Sequence, residues 1–123
     1  MVGIDVERRV LVADDEPDVR LIVRLQLQRA GWVVDEAASG EEVLQRFQTG
    51  ELHALVIDQR MAGISGLDTA RALIDLGYDL PIVLFSAYLT PDVEVCARDL
   101  GLITLAKSEI TTLADTLHAL LEC

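Results

Sequence analysis

"ALVIDQRMAGISG", residues 54–66, is an apolar run that ends on a carboxylate. Ala54 to Ile57 suit a buried strand, Asp58 follows at once, and the chain then breaks into a polar loop holding Gly63 and Gly66. An acid in that place either caps the helix that follows or stands there for chemistry. The rest of the chain has to decide between them.

Upstream, "VLVA" (10–13) precedes a helical stretch from Pro17 to Ala30, in which Val19, Ile22, Val23 and Leu27 recur at helical spacing. Gly31 can stop that helix. "WVVDEA" (32–37) alternates as a half-buried or edge strand does, and "GEEVLQRFQTG" reads as a short helix between glycines. Downstream, a helix runs from Gly66 to about Leu76, and "GYDLP" turns the chain into "IVLF" (82–85). Pro91 opens another short helix, and "LITLA" (102–106) is the last strand. Ser108 suits the N-cap of a final helix with Ile110, Leu113, Leu117 and Leu121 on one face. Five βα units with continuous apolar strands predict an α/β fold: a five-stranded parallel sheet, doubly wound, with helices on both faces. In an open sheet of this kind, ligands bind beyond the C-terminal ends of the strands.

Composition narrows the function. At 123 residues, 51% of them hydrophobic, the chain predicts one folded domain over 1–123. A net charge of −11 argues against nucleic acid and against an anionic membrane, since both need a basic face. It suits cations or a basic partner, although solubility alone also accounts for it. Cys96 and Cys123 give neither a disulfide framework nor metal-ligand spacing. Cys96, among Val93, Ala97 and Leu100, reads as a small core residue, and Cys123 as loose. "MVGIDVERRV" does not resemble a signal peptide, and no stretch approaches membrane-spanning length, so the expected compartment is reducing and cytoplasmic.

The residues closing the strands are Asp14-Asp15-Glu16, Asp58, Ser86 and Lys107. Each has an ordinary explanation alone. The first three precede Pro17 and suit a helix N-terminus, Asp58 could organise its loop, Ser86 could be a turn residue, and Lys107 a surface charge. Together on one rim they are harder to dismiss. Gathered carboxylates repel one another unless a cation sits among them, and an all-oxygen set with room for water favours magnesium over zinc. A hydroxyl and an ammonium beside them would complete an oxyanion clamp. Lys107 is also the only lysine, beside nine arginines.

The constellation resembles the receiver domain of two-component response regulators, over essentially the whole chain. "LVADDEP" looks like that family's acidic signature after the first strand. In "IDQRMAGISG", Met61 and Gly66 stand three and eight residues after Asp58, as in the family's phosphoacceptor segment. "LFSA" and Lys107 match its hydroxyl-plus-alanine pair and its lysine after the fifth strand. The resemblance implies a flavodoxin-like sheet of order 2-1-3-4-5. It implies that Asp58 accepts a phosphoryl group from a histidine kinase, a phosphotransfer protein or a small phosphodonor. Mg2+ would be held by Asp14, Asp15, Asp58 and the backbone carbonyl of Arg60, with Ser86 and Lys107 on the phosphoryl oxygens and Ser86 and position 104 as the switch. Such a domain is not an enzyme beyond its own phosphorylation and dephosphorylation. It relays a conformational change to a downstream partner or output domain, and commonly forms a homodimer through its fourth helix, fifth strand and fifth helix.

Three positions depart from the family. Ala62 replaces a usual proline, which loosens the loop after Asp58 without removing a ligand. Ser108 replaces the proline of a usual cis bond. A cis bond before serine costs about 2.5–4 kcal/mol, against about 0.5–1 kcal/mol before proline, so a trans bond and a shifted loop that aims Lys107 less well are expected. Thr104 stands where the family's switch is aromatic, so the usual coupled movement of hydroxyl and ring cannot operate, and Tyr88 is expected at the site entrance. Arg60 either influences the site or is a solvated surface charge. The competing functions are a receiver-like interaction module not switched by phosphate and, more distantly, a magnesium-dependent hydrolase with Asp58 as nucleophile. Such hydrolases commonly carry a second acid where this chain has Arg60.

Overall fold

The computed structural model of the protein describes residues 8–122. The reading of the first residues as no leader and of Cys123 as loose lies outside them. Five strands, β1 (Arg9–Ala13), β2 (Val33–Ala37), β3 (Ala54–Ile57), β4 (Ile82–Ser86) and β5 (Ile103–Ala106), pair in parallel in the order β2-β1-β3-β4-β5. The helices between them are α1 (Pro17–Arg29), α2 (Gly40–Thr49), α3 (Gly66–Asp75) and α4 (Pro91–Asp99). A 3-10 turn (Lys107–Thr112) leads into α5 (Leu113–Glu122). The expected fold class and strand order are both present. Among the described residues no helix is long and apolar enough to cross a membrane.

Continuous apolar strands are required because side chains alternate between two covered faces. Leu11, Leu55, Ile57 and Leu84 pack on one face with Val43, Phe47, Ala70, Leu73 and Ala97 from α2, α3 and α4. Val10, Val12, Val56 and Val83 pack on the other with Val23, Leu27, Leu113 and Leu117 from α1 and α5, and with Trp32. Burying such a side chain contributes about 1.5–3 kcal/mol, so these two layers supply most of the driving force.

The helix starts are fixed locally. The Ser39, Ser65 and Thr90 hydroxyls accept from the backbone N–H of Glu42, Asp68 and Val93 at the heads of α2, α3 and α4. The cap of α3 is therefore Ser65, not Asp58. At the end of α1, Gly31 takes a positive φ of 97°, and the Trp32 N–H reaches back to the Leu27 carbonyl.

Three sequence expectations are corrected. Ser108 does not cap the last helix: it lies inside the 3-10 turn, and α5 begins at Leu113, because the chain turns tightly as it leaves β5. Cys96 is exposed, since the inward stripe of α4 runs through Val93, Ala97 and Leu100 and leaves Cys96 on its flank. Ile22 is likewise solvent-facing at 56% exposure, and α1 packs through Val19, Val23 and Leu27 instead.

The register aligns the strand ends. Ala13 pairs with Ile57, Ile57 with Leu84, and Ser86 with Ala106. Asp14, Asp58, Ser86 and Lys107 consequently emerge on one rim.

Candidate functional site

Asp14 and Asp58 leave adjacent strands and are both 3% exposed. The Lys107 ammonium spans them, with Nζ 2.7 Å from Asp14 Oδ2 and 3.1 Å from Asp58 Oδ2. The second oxygens are held by local backbone: Asp14 Oδ1 accepts from the Glu16 N–H at 2.9 Å, and Asp58 Oδ1 from the Gln59 N–H at 2.8 Å. Burial pushes the Asp14 carboxyl above its ordinary value, and the bonds from Lys107 and the Glu16 N–H only partly offset this. Burial works against the charged form of Lys107 too, but its bonds to Asp14 and Asp58 prevail and hold the ammonium above its ordinary value. A half-buried lysine thus supplies the positive charge that two buried acids need.

Asp15 and Glu16 are exposed, and with Asp14 they bring carboxylate oxygens within 4.8 Å of one another. That donor set is all oxygen and anionic, which fits a hard divalent cation. Asp58 reaches this group through Lys107 rather than as a member of it. Arg60 is exposed in the loop that follows Asp58, at the same end of the sheet.

Ser86 is fully buried, and its Oγ accepts from the Tyr88 N–H at 3.1 Å. Tyr88 is half exposed, and the Arg60 guanidinium carbon lies 4.3 Å from the centre of its ring. Arg60 is therefore stacked rather than simply solvated. Thr104 is half-buried on β5, away from the acids, beside Glu94, Arg98, Leu102 and Ile103 in a hollow of about 300 Å³ between α4 and β5. The Lys107–Ser108 bond is trans, as expected, yet Lys107 is aimed onto both carboxylates and not away from them.

The loop after Asp58 is tied without a proline at 62. The Gln59 carbonyl accepts from Gly66 N–H at 3.0 Å, its side-chain Oε1 from Leu67 N–H at 2.9 Å, and Glu41 Oε2 from Ile64 N–H at 3.4 Å. Gly66 is required here, because a Cβ would stand 2.3 Å from the Asp58 carbonyl oxygen. On the other side, Arg20 donates to the Asp14 carbonyl and to Glu36, which also receives Arg24. The sequence reading missed Arg20, Glu41 and the Gln59 side chain. Only Arg20 left a signal, as an i,i+4 arginine pair with Arg24 just after the acidic loop. A larger hollow, about 710 Å³ and lined by Arg9, Asp35, Arg46 and His53, lies at the opposite end of the sheet, far from the acids.

The family model for the response regulator receiver domain matches residues 10–115. The response regulator MprA of Mycobacterium ulcerans is 36% identical over 93 residues, covering 76% of this chain and 40% of that protein. The alkaline phosphatase synthesis transcriptional regulatory protein SphR of Synechococcus elongatus is 33% identical over 102 residues, with the same coverage. The chain thus spans about two fifths of the length of these relatives. Among solved structures, the response regulator TrrA of Thermotoga maritima, in complex with Mg2+-BeF, superposes with a TM-score of 0.82 at 30% identity, covering 92% of this chain and 98% of that one. The chemotaxis protein CheY4 of Vibrio cholerae gives 0.85 at 27% identity, covering 94% and 99%.

Proposed function

The chain belongs to the response regulator receiver domain family, and on that premise we propose that it accepts a phosphoryl group on Asp58, with Mg2+ bound, and relays the change to a partner. The observation that carries this reading is the Lys107 ammonium bridging Asp14 and Asp58, two buried acids whose carboxylates meet no other cation among the described contacts.

A carboxylate attacking a phosphorus centre meets an anion, so positioning and charge neutralisation do most of the work. One oxygen of Asp58 is held by the Gln59 N–H, and the other is the nucleophile once Lys107 turns toward the incoming group. The Asp58 O–P bond forms as the donor's P–N or P–O bond breaks, and the electron pair leaves with the donor. Lys107 and the Ser86 hydroxyl then hold phosphoryl oxygens. Asp14, Asp15, Asp58 and the Arg60 carbonyl would hold Mg2+, which supplies charge neutralisation at the phosphoryl oxygens. The complex of TrrA with Mg2+-BeF supports this assignment.

The donor is a histidine kinase, a phosphotransfer protein or a small phosphodonor, the compartment is cytoplasmic, and residues 1–123 act as one receiver domain. Its chemistry is confined to its own phosphorylation and dephosphorylation. The test is intact mass after incubation with Mg2+ and a small acyl phosphate. One phosphoryl addition that needs Mg2+ and is absent in Asp58→Asn is the expected result. A folded wild-type protein that gains no mass from either an acyl phosphate or a histidine kinase would replace this reading with an interaction module not switched by phosphate.

A further inference from the structure

Building on the assignment of Asp58 as phosphoacceptor, we propose that Arg60, acting through the ring of Tyr88, is a positioning residue for the Ser86 hydroxyl during phosphoryl acceptance. A serine hydroxyl has one proton to give and two lone pairs to receive with. The Tyr88 N–H occupies one lone pair of Ser86 Oγ at 3.1 Å, which leaves the proton free for an oxygen beyond the rim. That arrangement lasts only while residues 86–88 keep their turn.

The turn has little of its own to hold it. Ala87 and Tyr88 are exposed, and they sit in the short connection between β4 and α4. What fixes Tyr88 from outside is the Arg60 guanidinium, stacked 4.3 Å from its ring centre. A cation over an aromatic face is attracted to the ring's negative quadrupole, and the planar guanidinium suits stacking better than an ammonium. Arg60 belongs to the loop after β3, two residues past Asp58, and Tyr88 to the loop after β4, two residues past Ser86. The stack therefore fastens the loop that carries the acceptor to the loop that carries the hydroxyl. Arg60 has a specific task even though it touches neither Asp58 nor Ser86 through its guanidinium.

The experiment measures the rate of phosphoryl gain by intact mass, with Mg2+ and acetyl phosphate as the probe, in wild type, Arg60→Ala, Ser86→Ala and the double variant. The loss of an exposed cation–π contact predicts about a threefold to fivefold slowing in Arg60→Ala. Tyr88→Leu should slow as much, and Tyr88→Phe, which keeps the ring, should stay at the wild-type rate. In the Ser86→Ala background, Arg60→Ala should have no further effect. Equal slowing in both backgrounds would mean that Arg60 acts on the donor itself, and would overturn the proposal; so would no slowing in wild type. A second readout needs no phosphoryl group: exchange of the Tyr88 amide hydrogen should quicken by a similar factor in Arg60→Ala, and unchanged exchange would refute the pair. A wild-type protein that gains no mass would instead remove the assignment of Asp58, an outcome the amide readout keeps separate.

Discussion

β3 and β5 are strands of four residues in one sheet, each followed at once by a charged residue of the rim, yet they are built differently. Every residue of β3 is buried, between β1 and β4 and under helices on both faces. No residue of β5 is: Ile103 is 40% exposed and the other three are half-buried, with β4 as the only neighbour. Beside it, α4 buries only Ala97, and the chain beyond β5 needs a 3-10 turn before α5 can start. Asp58 thus hangs from the part of the sheet that is most deeply buried, and the lysine that faces it from the part that is least so. As an edge strand, β5 has one strand pairing to break if it shifts, where β3 has two.

That contrast can be tested by truncation. Leu55→Ala in β3 should lose about 3–4 kcal/mol of unfolding free energy in urea melts, because the fully buried site leaves a cavity. Ile103→Ala in β5 should lose well under about 1 kcal/mol. Equal losses would erase the distinction between the two strands.

Lys107→Met asks whether the rim binds the two strands together. It leaves Asp14 and Asp58 facing each other without their cation and should cost about 3 kcal/mol near pH 8 in metal-free buffer. The cost should shrink in acid. Asp14 already has its carboxyl raised above 3.8 by burial, and a raised acid contributes stability that is complete below its unfolded value and lost as pH rises through its folded one. Urea melts at acid and alkaline pH check the sign, and a loss that grew toward acid would be the wrong one.

Smaller effects sharpen the picture. Gly66→Ala should cost about 2 kcal/mol and slow phosphoryl gain, since its Cβ collides with the Asp58 carbonyl oxygen. Thr104→Ala should leave stability within about 0.5 kcal/mol and the rate of phosphoryl gain unchanged, because Thr104 lies away from the acids on the loosely held strand. A large rate loss there would place β5 inside the acceptance chemistry.

How much of this was legible in the sequence follows from the range of each interaction. The strands show as apolar runs because both faces are covered, and the topology rule then directs attention to Asp14, Asp58, Ser86 and Lys107. Ile22 and Cys96 were misplaced because helical periodicity gives the direction of a stripe but not which flank a neighbouring helix covers. Ser108 reads as a cap by type, and only the tight exit from β5 shows that the helix starts later. Arg20 holding the Asp14 carbonyl showed only as one of an i,i+4 arginine pair, which does not say what it bonds, and Glu41 holding Ile64 joins residues 23 apart with no local signature at all.

The single tryptophan has a consequence of a different kind. Trp32 is 4% exposed, packed in the layer under α1 and α5, and stands just before β2, whose far end meets the rim. Five residues of strand put about 16 Å between the indole and the acids along the sheet alone. Its fluorescence is therefore a gauge of global unfolding that is deaf to events at the rim. A urea titration followed by this emission reports the stability of the apolar layer, and the same signal should stay flat when magnesium is added. If the emission moved on phosphorylation, a rearrangement would have travelled through the sheet's interior and reached the opposite pole.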